Sequence, residues 1–169
     1  MTLPKKLMMI GAILAVSACT NANGWGDDDG VGSGQTGATA PGLVTDQTSP
    51  AYFQQAIGDR VVFAVDQSTL SDEAQSILAA QAQWLGSNPD YTATIEGHAD
   101  EQGTREYNLA LGARRAAAAR EYLISRGVAG NRLKTVSYGK ERPLEVCSEE
   151  ACYSKNRRAV TVLTTDLTG

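Results

Sequence analysis

The spacing of apolar and polar residues changes several times along the chain, and each change marks a predicted element. From Arg60 to Val65 the run is rich in β-branched and aromatic residues (Val61, Val62, Phe63, Val65), which predicts a strand. Ser71 then stands as a helix N-cap, with Asp72 and Glu73 in the first turn, where negative charge suits the helix dipole. Ala74, Ile77, Leu78, Gln81, Trp84 and Leu85 recur at helical spacing, Gly86 stops the helix, and Pro89 lies just beyond. Tyr91–Glu96 alternates, with Tyr91, Ala93 and Ile95 on one face and the threonines and Glu96 on the other. A long alanine-rich helix is predicted from about Arg105 to Arg126, ended by Gly127. Strands follow at Leu133–Tyr138 and Ala159–Thr164, separated by a polar excursion. No internal repeat is present. The order β-α-β-α-β-β predicts an α+β fold: a two-layer sandwich with a mixed four-stranded sheet and two main helices on one face.

The first fifty residues follow another pattern. Lys5 and Lys6 precede the apolar run Leu7–Val16 and the small residues Ser17 and Ala18, the three-part pattern of a secretory signal peptide over residues 1–18. The apolar run is about half of the ~20 residues a permanent spanning helix needs. Val16-Ser17-Ala18-Cys19 resembles a bacterial lipobox, which implies acylation of Cys19. Several acyl chains, each adding ~0.8 kcal/mol per buried methylene, would hold the protein on a membrane. Thr20 follows the cysteine in place of the aspartate that retains many such proteins in the inner membrane, so the outer membrane is the expected home. Residues 19–50 carry no apolar period and many glycines, so they read as lipidated cysteine plus tether. As a Gly-rich coil the tether would span roughly 30 Å root-mean-square and about 100 Å at full extension. The Gly30–Gly34 stretch has no strand before it and no Gly-Lys-Ser/Thr after it, which excludes a nucleotide loop. The folded domain is expected over residues 51–169.

Composition narrows the function. The formal charge of −4 argues against a nucleic-acid partner. The single histidine, His98, excludes a multi-histidine metal site, and no cofactor is expected. With Cys19 assigned to lipid, Cys147 and Cys152 remain as a pair, and a disulfide is the natural inference outside the cytoplasm. So short a closed loop would stabilise by only about 2 kcal/mol.

The densest polar stretch, Glu96-Gly97-His98-Ala99-Asp100-Glu101-Gln102-Gly103-Thr104, lies between a predicted strand and the long helix, where rigid elements hold a loop. Gly97 and Gly103 would permit tight turns. Along the helix Asn108, Leu111 and Arg115 share one stripe, at spacings of three and four. Small residues Ala116–Ala119 beside Arg115 leave its guanidinium open to close approach by a ligand or a neighbouring loop. From residue types alone, Asp100 and Arg115 read equally well as an ion pair tying loop to helix.

The run IEGHADEQGTREYNLALGARRAAAAREYL, followed by VSYGKERP and later SKNRRAV, resembles the peptidoglycan-associated lipoproteins of the OmpA-like C-terminal domain family. The resemblance covers about residues 58–165, with the motifs in the same order and spacing. It implies that Asp100 and Arg115 hold the meso-diaminopimelate of a peptidoglycan stem peptide. The chemistry is apt: an ammonium and a carboxylate on one carbon need an anion and a cationic fork close together. By the same resemblance Asn108 and Thr104 add hydrogen bonds, Leu111 an apolar wall, and Val65 and Asp66 line the pocket. Val65 is smaller than the aromatic usual at that position. His98 is expected to shape the loop through a hydrogen bond within the turn. One of Arg157 and Arg158 is expected to orient Asp100 while the other is solvated, and Arg114 is expected to be exposed. The resemblance further implies TolB as a protein partner, on a surface overlapping the wall-binding face, within the Tol–Pal envelope system. Folding is expected to survive Arg115→Ala while binding falls.

A peptidoglycan hydrolase is the rival class. Asp66, Asp72, Glu96, Asp100 and Glu101 supply carboxylates, but none has an evident apolar pocket to raise its pKa. No serine nucleophile elbow and no cysteine–histidine pair is present. A non-enzymatic binder is therefore expected, with a protein–protein adaptor of the same fold as the alternative.

Overall fold

The computed structural model describes residues 45–165, so the signal peptide, Cys19 and most of the tether lie outside the described residues. The order of elements is a helical turn α1 (Pro50–Tyr52) running into a π-helical stretch (Phe53–Gly58), then β1 (Arg60–Val62), α2 (Asp72–Ser87) and β2 (Tyr91–His98). There follow α3 (Arg105–Ser125), a 3-10 turn (Gly130–Arg132), β3 (Leu133–Gly139), α4 (Glu150–Asn156) and β4 (Arg158–Thr165). The sheet runs β1-β4-β2-β3, with β2 parallel to β3 and β4 antiparallel to both β2 and β1.

Local chemistry sets the helix bounds. Ser49, Ser71 and Thr104 cap α1, α2 and α3 by accepting hydrogen bonds from the backbone N–H three residues on. α3 ends at Arg126, and Gly127 takes the left-handed φ of +97° that glycine tolerates. The core joins Leu78, Leu85, Ile95 and Leu123, all at most 1% exposed, to Phe53 and to a tilted aromatic stack of Phe53, Trp84 and Tyr91. As the alternation predicts, Ala93 and Ile95 are buried.

Two expectations change. The first strand stops at Val62, and only the Phe63 N–H extends the pairing, to the Arg157 carbonyl. The chain then turns through Asp66 at φ +59°, so Val65 leaves the sheet. The polar excursion contains a seven-residue helix, α4, where the residue pattern predicts no regular element.

Glycines bring α3 against the sheet. A Cβ on Gly97 would lie 1.8 Å from the Gly112 carbonyl oxygen, and one on Gly139 would lie 2.8 Å from the Leu109 nitrogen. Gly97 therefore serves close helix–strand approach, where the sequence suggested a turn. Ser137 Oγ donates to the Leu109 carbonyl at 2.6 Å in the same seam. This contact fixes the height of α3 over β2, and with it Asn108, Leu111 and Arg115.

Candidate functional site

A cleft of about 260 Å³ opens where three segments meet. Val65 and Asp66 come from the loop after β1, Asp100, Gln102 and Gly103 from the loop after β2, and Tyr107, Asn108 and Leu111 from the first turns of α3. The β2–α3 loop is tightly specified. The Gln102 N–H donates to Asp100 Oδ1 (3.3 Å), the Asn108 amide donates to the Gln102 carbonyl (2.8 Å), and Gly103 supplies a φ of +90°. From outside, Lys140 Nζ donates to the Gly103 carbonyl at 2.7 Å.

Arg115 lies directly behind this lining and is 0% exposed. Its Nε donates to the Gln67 carbonyl (2.8 Å), and its two terminal nitrogens donate to the carbonyls of His98 (2.9 Å) and Ala64 (3.1 Å). The guanidinium carbon also sits 5.3 Å from the Phe63 ring centroid. Burial lowers its pKa to about 10, partly offset by the negative charge of Asp100. The group stays a cation at neutral pH. Of its five N–H donors, two have no partner in these contacts.

The resemblance implies that Asp100 and Arg115 share one ligand, and residue types alone also allow an ion pair between them; the ion pair is not formed. Asp100, 7% exposed, makes its ion pair with Arg157 at 3.2 Å, and it acts on Arg115 through charge rather than a hydrogen bond. The orienting arginine is thus Arg157, which is buried, donates also to the Phe63 carbonyl, and is held by Glu150. Arg158 is neither solvated nor a support of Asp100. It is buried, opens β4, and donates to the carbonyls of Asn156 and Arg142, whereas Arg157, the residue that closes α4, reaches Asp100. Asn156 ties the β3–α4 loop by accepting from the N–H groups of Leu144 and Glu145. Arg114 is exposed, with its guanidinium 5.9 Å from the Tyr107 ring.

Three further expectations shift. Thr104 accepts from the Tyr107 N–H as the α3 cap and is not among the residues lining the cleft. The His98 ring is 1% exposed, and neither ring nitrogen has a hydrogen bond, so its part in the loop is played by its carbonyl, which accepts from Arg115. Burial, with positive Arg158 and Arg142 nearby, pushes the imidazole down to about 4, so the ring is neutral. Folding is expected to survive Arg115→Ala, yet three carbonyls, two in the loop after β1 and one at the end of β2, accept from Arg115.

Tyr107 was missed. Its hydroxyl donates to Asp66 across the cleft mouth, and Asp66 raises its pKa. The available signal was its place four residues before Leu111 and three after the Thr104 cap, beside the loop. Cys147 and Cys152 are joined, with Cα atoms 5.9 Å apart. Among the described residues no cluster of three or more His, Cys, Asp or Glu is placed to hold a metal. Nor is any helix among them long and apolar enough to cross a membrane.

The OmpA family model matches residues 62–157, which span every lining residue of the cleft together with Arg115 and Arg157. The chain belongs to the OmpA family. Within it the chain groups with the peptidoglycan-associated lipoproteins. It is 51% identical to the peptidoglycan-associated lipoprotein of Rhizobium meliloti, over 96% of this chain and 90% of that one. It is 40% identical to that of Haemophilus influenzae, over 92% and 95% respectively. Among solved structures, the peptidoglycan-associated lipoprotein from Burkholderia pseudomallei superposes with a TM-score of 0.65 at 37% identity, over 70% of this chain and 100% of that one. The C-terminal domain of Helicobacter pylori MotB shares the fold, with a TM-score of 0.60 at 22% identity over 64% and 86%. The family is one of binding proteins, and this member is not an enzyme.

Proposed function

We propose that this chain is an outer-membrane lipoprotein that binds peptidoglycan non-covalently through the meso-diaminopimelate of its stem peptide. Acylated Cys19 supplies the anchor, residues 20–50 the tether and residues 51–169 the wall-binding domain. One observation carries the reading: the carboxylates of Asp66 and Asp100 line one cleft, and the buried guanidinium of Arg115 is bound to the backbone beside each of them, through the carbonyls of Ala64, Gln67 and His98. A zwitterionic carbon centre matches that arrangement, its ammonium toward the aspartates and its carboxylate toward the arginine. Asn108 and Leu111 complete the wall. Nothing in the site is set up for bond cleavage, since Asp100 is paired with an arginine. The dense display of ligand on a wall gives avidity, so a modest single-site affinity suffices.

By the family resemblance the protein works in the Tol–Pal system and also binds TolB. Exposed apolar side chains at and beside the rim of the cleft, Val65, Tyr107 and Leu109, favour a protein partner on this face. Wall and TolB would then compete.

The test is calorimetric titration of the purified full-length chain with a soluble meso-diaminopimelate stem peptide, beside its lysine analogue. Binding of the first alone is expected, with Asp100→Asn costing about 2–5 kcal/mol. No binding of either peptide would refute the reading. Cys19→Ser should release the protein from membrane fractions, and a mature acylated variant still in the outer membrane would exclude Cys19 as the lipid site.

A further inference from the structure

Arg157 is held from three sides. Its Nε donates to the Phe63 carbonyl (3.2 Å), one terminal nitrogen reaches both Asp100 (3.2 Å) and Glu150 (3.4 Å), and the other donates to Glu150. The forked side of the guanidinium therefore faces Glu150, while Asp100 receives a single contact. Two carboxylates share one cation, and the geometry gives Glu150 the larger part. Arg157 in turn holds the Glu150 carboxyl below its ordinary range.

Glu150 is unusual for such a role. Its side chain is 66% exposed, whereas that of Arg157 is 6% exposed. An exposed glutamate ordinarily gains little from an ion pair, because ordering its side chain offsets the attraction. Here the chain supplies the order. Glu150 opens α4 and lies inside the turn closed by the Cys147–Cys152 bridge, whose ends are five positions apart.

We propose that Glu150 is a positioning residue for the ligand cleft: it takes the forked side of Arg157, leaving Asp100 its negative charge for a ligand ammonium, and the Cys147–Cys152 bridge keeps it in place. The inference rests on the function proposed above. Without the Glu150 carboxylate, Asp100 is the one carboxylate left among the contacts of Arg157. The fork then turns onto Asp100, pairs with it on two N–H groups, and neutralises it. The cleft keeps its shape, because the Phe63 carbonyl still holds Nε, but its preference for a cation falls. Asp66, bonded by the Tyr107 hydroxyl, is untouched by the change, so the preference weakens rather than vanishes.

The experiment measures a ratio. The full-length chain is titrated with two stem peptides, one with the free amine of meso-diaminopimelate and one with that amine acetylated. In the wild type the free amine is expected to bind much more tightly. Glu150→Gln is expected to lower the ratio of the two dissociation constants by about fivefold or more. A merely structural role would weaken both peptides alike and leave the ratio unchanged. An unchanged or larger ratio in Glu150→Gln, with Asp100→Asn still weakening binding of the free-amine peptide, would overturn the inference while the function stands. Wild-type protein that binds neither peptide would sink the function and the inference with it. Reduction of the bridge, or Cys147→Ser with Cys152→Ser, is expected to move the ratio part of the way toward Glu150→Gln. No movement would overturn the role given to the bridge.

Discussion

Replacing Arg115 by methionine tests whether this arginine is first a structural clamp. Methionine keeps most of the apolar stem and removes the guanidinium. Three hydrogen bonds to the carbonyls of Ala64, Gln67 and His98 disappear. Bonds from a charged group contribute about 1.5–3 kcal/mol each, so a naive sum would exceed 4 kcal/mol. Two offsets reduce it. Ala64 and Gln67 are exposed residues, so their carbonyls can turn to water. The cost of burying a cation, visible in the pKa lowered to about 10, is also relieved. His98 lies deep, and its carbonyl is left without a partner, at about 1–3 kcal/mol. The net expectation is a loss of about 3 kcal/mol. In urea, with a slope near 1.5 kcal/mol/M, the midpoint should fall by about 2 M. Arg115→Lys, which retains charge and one or two donors, should lose about half as much. Circular dichroism in urea is the assay. A midpoint for Arg115→Met within about 0.3 M of the parent would refute the clamp. Binding measured on such a variant has meaning only when corrected for the fraction folded.

Four other expectations follow from charge, packing and the disulfide. The folded-state pKa of His98, about 4, lies below the ordinary 6.5, so the unfolded chain takes up a proton first. The stability this residue contributes is intact above about pH 6.5 and is lost as pH falls toward 4, by at most about 3 kcal/mol. Stability of the wild type minus that of His98→Gln, measured from pH 7 to 4, should trace that loss, and a flat difference would contradict it. Gly97→Ala should cost more than about 4 kcal/mol or abolish folding, because the new Cβ meets the Gly112 carbonyl. Gly86→Ala, with nothing within 4 Å of the new Cβ, should instead stabilise by about 0.5–1 kcal/mol in thermal unfolding. Reducing Cys147–Cys152 should lower stability by about 2 kcal/mol, and a thermal midpoint unmoved by reductant would contradict that.

The layer architecture was legible because its signals are local. The Ser71 cap and the apolar stripe through Leu78 and Leu85 mark α2, and the alternation at Ala93 and Ile95 marks β2. α4 was not legible, since seven residues are too few to display a period and Glu149 forms no side-chain cap. The early end of β1 was hidden as well, because Val65 has high strand propensity and nothing nearby announces the left-handed turn at Asp66. The residues of the cleft were largely legible through motif order, but their pairings were not. Which acid meets which arginine depends on side-chain direction across strands far apart in sequence: Arg157 reaches Asp100 over 57 positions and Arg115 reaches Gln67 over 48. The alanines beside Arg115 hinted at close approach, and what approaches is backbone.

The hydrogen bond from the Trp84 indole to the Gln47 carbonyl pins the incoming chain near the C-terminal end of α2. The cleft lies by the loop that leads into the other end of that sixteen-residue helix, whose first residue is roughly 18 Å from Trp84 at 1.5 Å per residue. Tension between an anchor behind Gln47 and a wall held at Asp100 would therefore run lengthwise through the domain. β2 starts beside Trp84 and ends two residues before Asp100, with hydrogen-bonded neighbours on both edges. Pulled along its axis, such a strand loads its ladder bonds together in shear, so they resist as a set, whereas a sideways pull would open them one at a time. A domain strung this way would behave as a stiff link between the two.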